Sequence, residues 1–215
     1  MKAKIGIIGS GIVAKTLGEG FIKHGYDVML GTRNQEKLNE WKASEGEGAV
    51  LGSLSESASF GDIIVLAVKG AAAKGALELA GANNLSGKTI MDATNPISDA
   101  PPVNGVLQFF TAQNDSLMEQ LQQSFPDANF VKAFSSVGSA KMANPTFEVK
   151  PSMFICGNNA AAKQEVSKII DLFGWETLDM GQAEAARAIE ALCMLWCIPG
   201  FTNNQWNHAF KLLTQ

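Results

Sequence analysis

Three small residues near the amino terminus have the spacing of a phosphate-binding turn. Gly9, Gly11 and Ala14 match the pattern G-x-G-x-x-G/A, between a short apolar run at 4–9 and a segment with helical periodicity at 12–24. In this context the first glycine permits a tight turn, the second lets a pyrophosphate approach the backbone, and the alanine lets the helix pack closely on the strand. Because the free amides at a helix start favour an anion, the motif predicts a dinucleotide-binding site.

A second signal follows the next strand-like segment, residues 27–30. An NAD site normally has Asp or Glu about 20 residues beyond the glycines, where the carboxylate binds the ribose 2′-hydroxyl. This chain has Thr32, Arg33 and Asn34 there, with Lys37 four residues after the arginine. Either Arg33 and Lys37 are ordinary solvated charges, or they bind a 2′-phosphate with the charge-assisted geometry that arginine provides. Their position where the adenosine ribose must lie favours NADP(H).

Two further strand ends reach the same crevice, since ligands of open α/β sheets bind beyond the carboxyl ends of the strands. Ala67, Val68 and Lys69 are predicted to border the ribose or adenine. Asn95 and Pro96 follow a later strand, where the nicotinamide half should extend, although Asn95 could be only a turn residue. The long irregular segment 99–114 is a candidate lid.

Strand-like and helix-like segments alternate over most of the chain. The predicted strands are residues 4–9, 27–30, 63–68, 89–92, 130–134, 153–156 and 175–178, and the predicted helices are 12–24, 34–41, 71–80, 117–125 and 160–173. Parallel neighbours need crossovers, so this order predicts a Rossmann-type doubly wound, mostly parallel α/β sheet with a short C-terminal helical appendage. We expect an NADP-binding Rossmann domain over 1–181. Helices at 183–196 and 203–213, within 182–215, should pack on that domain or form a dimer interface.

Composition narrows the function classes. The 215 residues are 46% hydrophobic and 18% charged, with a net charge of -4, which gives no global attraction to nucleic acid or an anionic membrane. The amino terminus lacks a signal-peptide pattern, and the apolar stretch 191–198 is expected to stop at Pro199, short of the roughly 20 residues of a membrane span. We therefore expect a cytoplasmic protein that does not bind membranes.

Three cysteines and two isolated histidines show no zinc-ligand spacing, so no metal site is predicted. Cys193 and Cys197 lie four residues apart on a predicted helix and share one face. They are either a redox pair or, more simply, buried packing residues.

With these residues in place, the sequence resembles the coenzyme F420-dependent NADP reductase family and also the soluble reductase domain of the STEAP metalloreductases. The likeness runs from residue 4 to about 181. It rests on IGSG at 8–11, LGTRN at 30–34, DATNP at 92–96, VKAF at 131–134, ICG at 155–157 and LDMG at 178–181. These ordered matches support the fold and NADP(H) strongly, and the acceptor much less.

The resemblance implies hydride transfer between NADPH and a deazaflavin or flavin ring, with coenzyme F420, FMN or FAD as co-substrate. The cofactor rings carry the chemistry, so no residue need act as an acid or base. The residues implied are Gly9, Ser10, Gly11, Ile12 and Val13 at the pyrophosphate, Thr32, Arg33 and Lys37 at the 2′-phosphate, Asn95 and Pro96 at the nicotinamide ribose, and Ala133, Phe134, Ser135 and Val137 along the nicotinamide.

Other functions stay open at this stage. The acceptor could be a quinone or a metal chelate, the chain could be a hydroxyacid or imino-acid dehydrogenase, or it could be a non-enzymatic NADP(H) sensor. Base rates and the apolar C-terminal segments favour a homodimer.

Overall fold

A parallel sheet of six strands forms the centre of the computed structural model, which describes residues 2–213. The eight strands are β1 (Ile5–Ile8), β2 (Val28–Gly31), β3 (Val50–Gly52), β4 (Ile63–Leu66), β5 (Thr89–Asp92), β6 (Asn129–Lys132), β7 (Ser152–Ile155) and β8 (Glu176–Asp179). The first six pair in the order β3-β2-β1-β4-β5-β6, all parallel. This order is that of a doubly wound Rossmann sheet, and it confirms the predicted fold class.

Helices cover both faces of this sheet. They are α1 (Ile12–Lys23), α2 (Asn39–Lys42), α3 (Leu54–Phe60), α4 (Ala73–Ala80), α5 (Ala82–Leu85), α6 (Leu117–Ser124), α7 (Ala160–Leu172) and α8 (Ala186–Asn203). Successive strand residues point to opposite faces, so Ile7 joins the core under α1 and α7 while Ile8 joins the core under α3 and α4. Burial on both faces explains the continuous apolar runs of β1 and β4.

A smaller parallel pair, β7 and β8, continues beyond β6. It meets the main sheet at one antiparallel bridge, where the Lys132 amide donates to the Cys156 carbonyl at 3.0 Å. The strands predicted at 153–156 and 175–178 are these two, each shifted by one residue.

Neither β3 nor α3 was predicted from the sequence. β3 has only three residues at the edge of the sheet, and Val50 is 45% exposed, so its apolar signal is weak. A capping box did mark the start of α3, since Ser53 accepts from the Glu56 amide and the Glu56 carboxylate accepts from the Ser53 amide. The predicted helix at 34–41 is a 3-10 turn at Gln35–Leu38 followed by α2.

The C-terminal prediction was wrong in two respects. The helix continues through Pro199 to Asn203, where Asn204 takes a left-handed conformation and its amide bonds to Gly200. A proline this close to the end removes one backbone bond from the helix and leaves the preceding turns intact. Residues 183–203 are long and apolar enough, by length and composition alone, to cross a membrane, with 33% of the most apolar stretch buried in the protein.

The second C-terminal helix, predicted at 203–213, is also absent, because residues 204–213 have no regular secondary structure. Instead the segment returns along β7, where the Ser152 amide donates to the Phe210 carbonyl at 2.9 Å. The Trp196 indole donates to the His208 carbonyl at 3.0 Å, and the two rings stack. These tertiary contacts hold the segment in an irregular path, against its helical periodicity.

Candidate functional site

The turn after β1 requires glycine at its first position. Gly9 has φ +146°, and a Cβ atom there would lie 2.2 Å from the Ala67 carbonyl oxygen at the end of β4. The Gly9 amide also donates to the Gly31 carbonyl of β2 at 3.0 Å. This turn therefore brings three adjacent strand ends together at the carboxyl edge of the sheet.

The start of α1 is open to a ligand. Gly11 is the N-terminal cap, no side chain caps the helix, and the first turn has no acidic residue. A Cβ atom on Gly11 would meet nothing within 4 Å, and the next residue, Ile12, is 66% exposed. An uncapped helix start has exposed amides and a partial positive charge, both of which favour an anion, so its use as the predicted phosphate site stays a prediction.

The loop after β2 has a hydrogen-bonded backbone and two exposed cationic side chains. Thr32 is buried, and its hydroxyl accepts from the Asn34 amide at 3.1 Å, while the Asn34 carbonyl oxygen of the side chain accepts from the Glu36 amide at 3.0 Å. Arg33 and Lys37 are exposed and take part in none of the ion pairs within residues 2–213. Both cations are therefore available to an anionic ligand.

A cleft of about 290 Å³ opens between these two turns. Its far wall is formed by the start of α3 and by one face of α4, and neither was predicted to line the cofactor site. On α4, Gly75 leaves space and Leu79 is 60% exposed. The full lining is Gly9, Ser10, Gly31, Thr32, Arg33, Leu54, Val68, Ala72, Gly75, Ala76 and Leu79.

A second cleft, of about 270 Å³, lies beyond the ends of β4 and β5. Val68 lines both clefts, so they are neighbours along the carboxyl edge of the sheet. The second lining is Val68, Lys69, Gly70, Ala71, Ala93, Thr94, Asn95, Ile97, Ser98 and Asp99. Together the clefts run from the β2 loop to the β5 loop, as a dinucleotide bound at a Rossmann crevice does.

Asn95 carries the polar chemistry of the second cleft. Its Nδ2 atom donates to the Ser135 carbonyl at 2.8 Å, which sets the orientation of the amide. Its Oδ1 atom and the Ser135 Oγ atom are buried without a hydrogen-bond partner. Buried polar atoms are normally satisfied, so the unpaired acceptor of Asn95, which lines the cleft, fits a ligand that brings its own amide or hydroxyl groups, as a nicotinamide riboside does.

Comparison with known proteins identifies the family. Residues 4–96 match the family model described as "NADP oxidoreductase coenzyme F420-dependent". A crystal structure named for an F420-dependent NADP reductase from Arthrobacter sp. FB24 superposes with a TM-score of 0.91 at 30% identity, over 99% of this chain and 100% of that one. The chain belongs to the F420-dependent NADP oxidoreductase family. It has the Rossmann fold of that solved structure.

Two curated relatives agree with this assignment. The F420-dependent NADP reductase of Methanocaldococcus jannaschii is 25% identical over 178 residues, covering 78% of this chain and 79% of that protein. Metalloreductase STEAP3 of Rattus norvegicus is 29% identical over 189 residues, covering 88% of this chain. The chain spans only about a third (36%) of the length of that metalloreductase.

The residues predicted along the nicotinamide bear most directly on the predicted hydride transfer. Ala133, Phe134, Ser135 and Val137 are all buried, and none lines either cleft. Phe134 has φ +57°, an unfavourable conformation for a bulky residue, in the turn that follows β6. Of the four, Ser135 is bonded to a residue of the second cleft, because its carbonyl accepts from Asn95. Their contact with the nicotinamide stays a prediction.

The remaining predicted positions divide in the same way. The residues that line a cleft are Gly9, Ser10, Thr32, Arg33, Val68, Lys69 and Asn95, whereas Gly11, Ile12, Val13, Asn34, Lys37, Ala67 and Pro96 border the same turns without lining one. Ala67 is buried under Gly9, and the Pro96 carbonyl accepts from the Phe110 amide at 2.9 Å. The C-terminal part of loop 99–114 is thus hydrogen-bonded to the β5 loop.

A buried charged cluster behind the β5 loop, formed by Asp92, Lys132 and Glu190, was not predicted from the sequence. The Lys132 ammonium lies 2.7 Å from Asp92 Oδ2 and 2.8 Å from Glu190 Oε1, and all three side chains are at most 1% exposed. Burial alone lowers the pKa of Lys132, but the two carboxylates outweigh it and the pKa is raised, so the ammonium stays charged. Two features of the sequence could have indicated this cluster. They are the lysine inside the apolar run of β6 and the aspartate at the end of β5.

The cysteines are thiols and not disulfides within the described chain. Burial raises the pKa of Cys156 to about 12, which keeps that thiol protonated and unreactive. Cys193 and Cys197 share a hydrogen bond that raises the pKa of the first and lowers that of the second. Among residues 2–213 no group of three side chains could hold a metal ion.

Proposed function

We propose that this chain transfers a hydride between NADPH and coenzyme F420, a flavin (FMN or FAD) or a similar small acceptor, with NADP(H) lying along the two clefts. The observation that carries the proposal is the junction of the clefts at Val68, which joins an anion-binding end to an end with unpaired polar atoms. Clefts of this kind, with few convergent polar groups, are the usual form of a cofactor site.

At the adenosine end, each part of the cofactor has a matching group. The Arg33 guanidinium and the Lys37 ammonium bind the 2′-phosphate, Thr32 and Asn34 shape the loop beneath them, and Leu79 covers the adenine. The amides at the start of α1 bind the pyrophosphate through Gly11, Ile12 and Val13. Because the phosphate groups are dianionic while the protein has a net charge of -4, these local cations and amides must supply the attraction.

At the other end, the protein orients the reacting ring. When bound, the nicotinamide supplies or accepts the hydride. Asn95 and Pro96 hold the ribose and the carboxamide, with the Asn95 Oδ1 and Ser135 Oγ atoms now satisfied. The buried turn 133–137 excludes water behind the ring. Holding the reacting atoms at about 3 to 3.5 Å is the main contribution of the protein, since the cofactor rings carry the chemistry.

The acceptor approaches from the side of loop 99–114. Three apolar side chains of this loop are well exposed, Val103, Val106 and Phe110. A planar acceptor ring would have apolar contacts with these side chains.

A second copy of the chain, in a homodimer, would cover the exposed apolar surface of α8, which includes Leu195 and Phe201. We place the protein in the cytoplasm, with no nucleic-acid or membrane partner.

Titration of the purified protein with NADPH and with NADH tests the proposal first, in the wild type and in Arg33→Ala. The wild type should prefer NADPH, and the variant should lose about 10- to 100-fold in NADPH affinity with little change for NADH, because one charge-assisted contact is lost. Lys42→Ala, an exposed lysine of α2, is the matched control and should change neither.

Oxidation of NADPH is then followed with F420, FMN and menadione in turn. Reduction of any of these supports the reductase. Turnover of a hydroxyacid or an imino acid without them would indicate a dehydrogenase. Binding of NADPH without oxidation, coupled to a change in association state, would indicate a sensor. Equal affinity for NADPH and NADH would contradict the assigned 2′-phosphate site.

A further inference from the structure

We propose that Asp92, Lys132 and Glu190 are positioning residues that hold both ends of the segment 94–116, and so set the nicotinamide end of the cleft. This segment contains Asn95 at its start and the loop 99–114. The proposal rests on the proposed function only for the identity of the ligand. The positioning itself is a property of the protein without cofactor.

The first end of the segment is held at Thr94. Asp92 Oδ1 accepts from the Thr94 amide at 2.9 Å and from the Thr94 hydroxyl at 2.6 Å. The Lys132 ammonium donates to the Thr94 carbonyl at 2.8 Å. All three polar groups of Thr94 are therefore bonded to the charged cluster, which leaves the next residue, Asn95, little freedom in direction.

The second end of the segment is held at the start of α6. Glu190 of α8 accepts from the Leu117 amide at 3.0 Å and from the Met118 amide at 3.1 Å. These are free amides of the first helical turn, which need an acceptor outside the helix. Lys132 lies 2.8 Å from the same carboxylate, so one ammonium joins the two ends of the segment.

The charge balance explains why all three residues are needed together. Two carboxylates face one ammonium in a region that is closed to water. The excess negative charge lies against the amides of α6, which carry partial positive charge. Apolar residues of similar size generally stabilise a core at least as well as a buried ion pair. A gain in stability alone therefore does not account for this cluster, whereas definition of a geometry does.

None of the three residues lines either cleft. Their effect on the reaction must pass through Thr94, Asn95 and the loop, and the role differs from that of a catalytic residue. Loss of the cluster should therefore affect the nicotinamide end of the cofactor and spare the adenosine end, which is built on β1, β2 and α4.

The test uses the full chain with two variants and one control. Glu190→Gln removes one carboxylate at constant shape, and Lys132→Met removes the joining ammonium. The control is Arg187→Gln, because Arg187 of α8 also bonds to α6, through Glu119 at 2.6 Å, but its ion pair is at the surface and apart from Lys132. Each protein is titrated with NADPH and with 2′,5′-ADP, which carries only the adenosine half.

We expect 2′,5′-ADP to bind both variants within about twofold of the wild type, while NADPH binds about tenfold more weakly. With menadione as the acceptor, kcat should fall by about 100-fold, the effect of a misplacement of roughly 1 Å. Chymotrypsin should also cut faster at Phe109 or Phe110 in loop 99–114 in the absence of any nucleotide. The Arg187→Gln protein should match the wild type in all three measurements.

Parallel losses for NADPH and 2′,5′-ADP, or values equal to those of the Arg187→Gln control, would overturn the proposal. If Lys132→Met fails to fold because two carboxylates are left unpaired, Glu190→Gln decides the question. If the wild type itself does not bind NADPH, the proposed function is wrong, and the chymotrypsin measurement then decides the positioning role alone.

Discussion

The two ends of the cleft are built in different ways. At the adenosine end, the turn at Gly9 and the loop at Arg33 each directly follow the strand that positions them, and their cations and amides are exposed. At the nicotinamide end, Asn95 bonds to a residue 40 positions away, and Glu190 bonds to an amide 73 positions away. One end depends on local chain geometry, and the other depends on tertiary packing.

Under the proposed function, this difference separates two properties. Selection of the cofactor depends on groups that a short sequence motif already contains. The geometry of the reaction depends on distant groups brought together in the core. Changes at the first end should therefore alter affinity or specificity directly, and changes at the second end should alter turnover through small displacements.

The largest expected effect is that of Gly9→Ala. The added Cβ would lie 2.2 Å from the Ala67 carbonyl in a backbone conformation unfavourable for alanine, so β1 and β4 must separate. We expect a loss of more than about 3 kcal/mol in the free energy of unfolding, together with loss of NADPH binding. Urea denaturation and NADPH titration measure the two effects.

Gly11→Ala is the matched variant, because a Cβ there meets nothing within 4 Å of the protein. Its stability should stay within about 1 kcal/mol of the wild type, the difference between glycine and alanine at a helix N-cap, while NADPH affinity falls, since the methyl group occupies the approach of the pyrophosphate. Unchanged NADPH affinity in Gly11→Ala would show that the pyrophosphate lies elsewhere.

Asn95→Ala should come next, and it tests the nicotinamide end. Removal of the amide leaves the Ser135 carbonyl without its donor and the ligand without its acceptor. NADPH affinity should fall by about tenfold, with 2′,5′-ADP affinity unchanged. Fluorescence titration measures both. Asn114→Ala, an exposed asparagine of loop 99–114, is the control, and an equal loss in that variant would refute a specific role for Asn95.

Leu79→Ala should have a smaller effect at the adenosine end. This side chain is 60% exposed on α4 and lines the first cleft, so its truncation removes apolar contact with the adenine and leaves the core intact. Affinity for NADPH and for 2′,5′-ADP should fall together, by about fivefold, or roughly 1 kcal/mol. Leu195→Ala, at a 54% exposed leucine of α8, should leave both affinities unchanged.

The smallest effect is expected from the exposed ion pair. A hydrogen bond from Arg187 lowers the pKa of Glu119 below its ordinary value of 4.5. The pair therefore contributes to stability above about pH 5, and this contribution is lost as the pH falls through the lowered value. Arg187→Gln should cost about 0.5 kcal/mol at pH 7 and progressively less in acid. Thermal unfolding of both proteins between about pH 3 and pH 7, a range that includes the ordinary and the lowered pKa of Glu119, measures how the difference in stability changes with pH.

Most of the fold could be predicted because its signals are local. Apolar runs that end in glycine or a polar turn indicated β1, β2, β4 and β5, and helical periodicity indicated α1 and α7. The short edge strand β3 has too few residues to show a pattern. The segment 204–213 has helical periodicity, but Trp196 and Ser152 bond to its backbone, and it has no regular secondary structure. Tertiary contacts there outweigh local propensity.

The sequence by itself determined the Rossmann fold, the glycine turn and the cationic loop after β2, because each depends on residues that are neighbours in the chain. Only the tertiary structure decided that Leu79 lines the first cleft, that Asn95 meets Ser135, and that Lys132 joins Asp92 to Glu190. A buried charge is stable only beside its partners, and the partners of Lys132 come from separate strands and helices that meet when the core is formed.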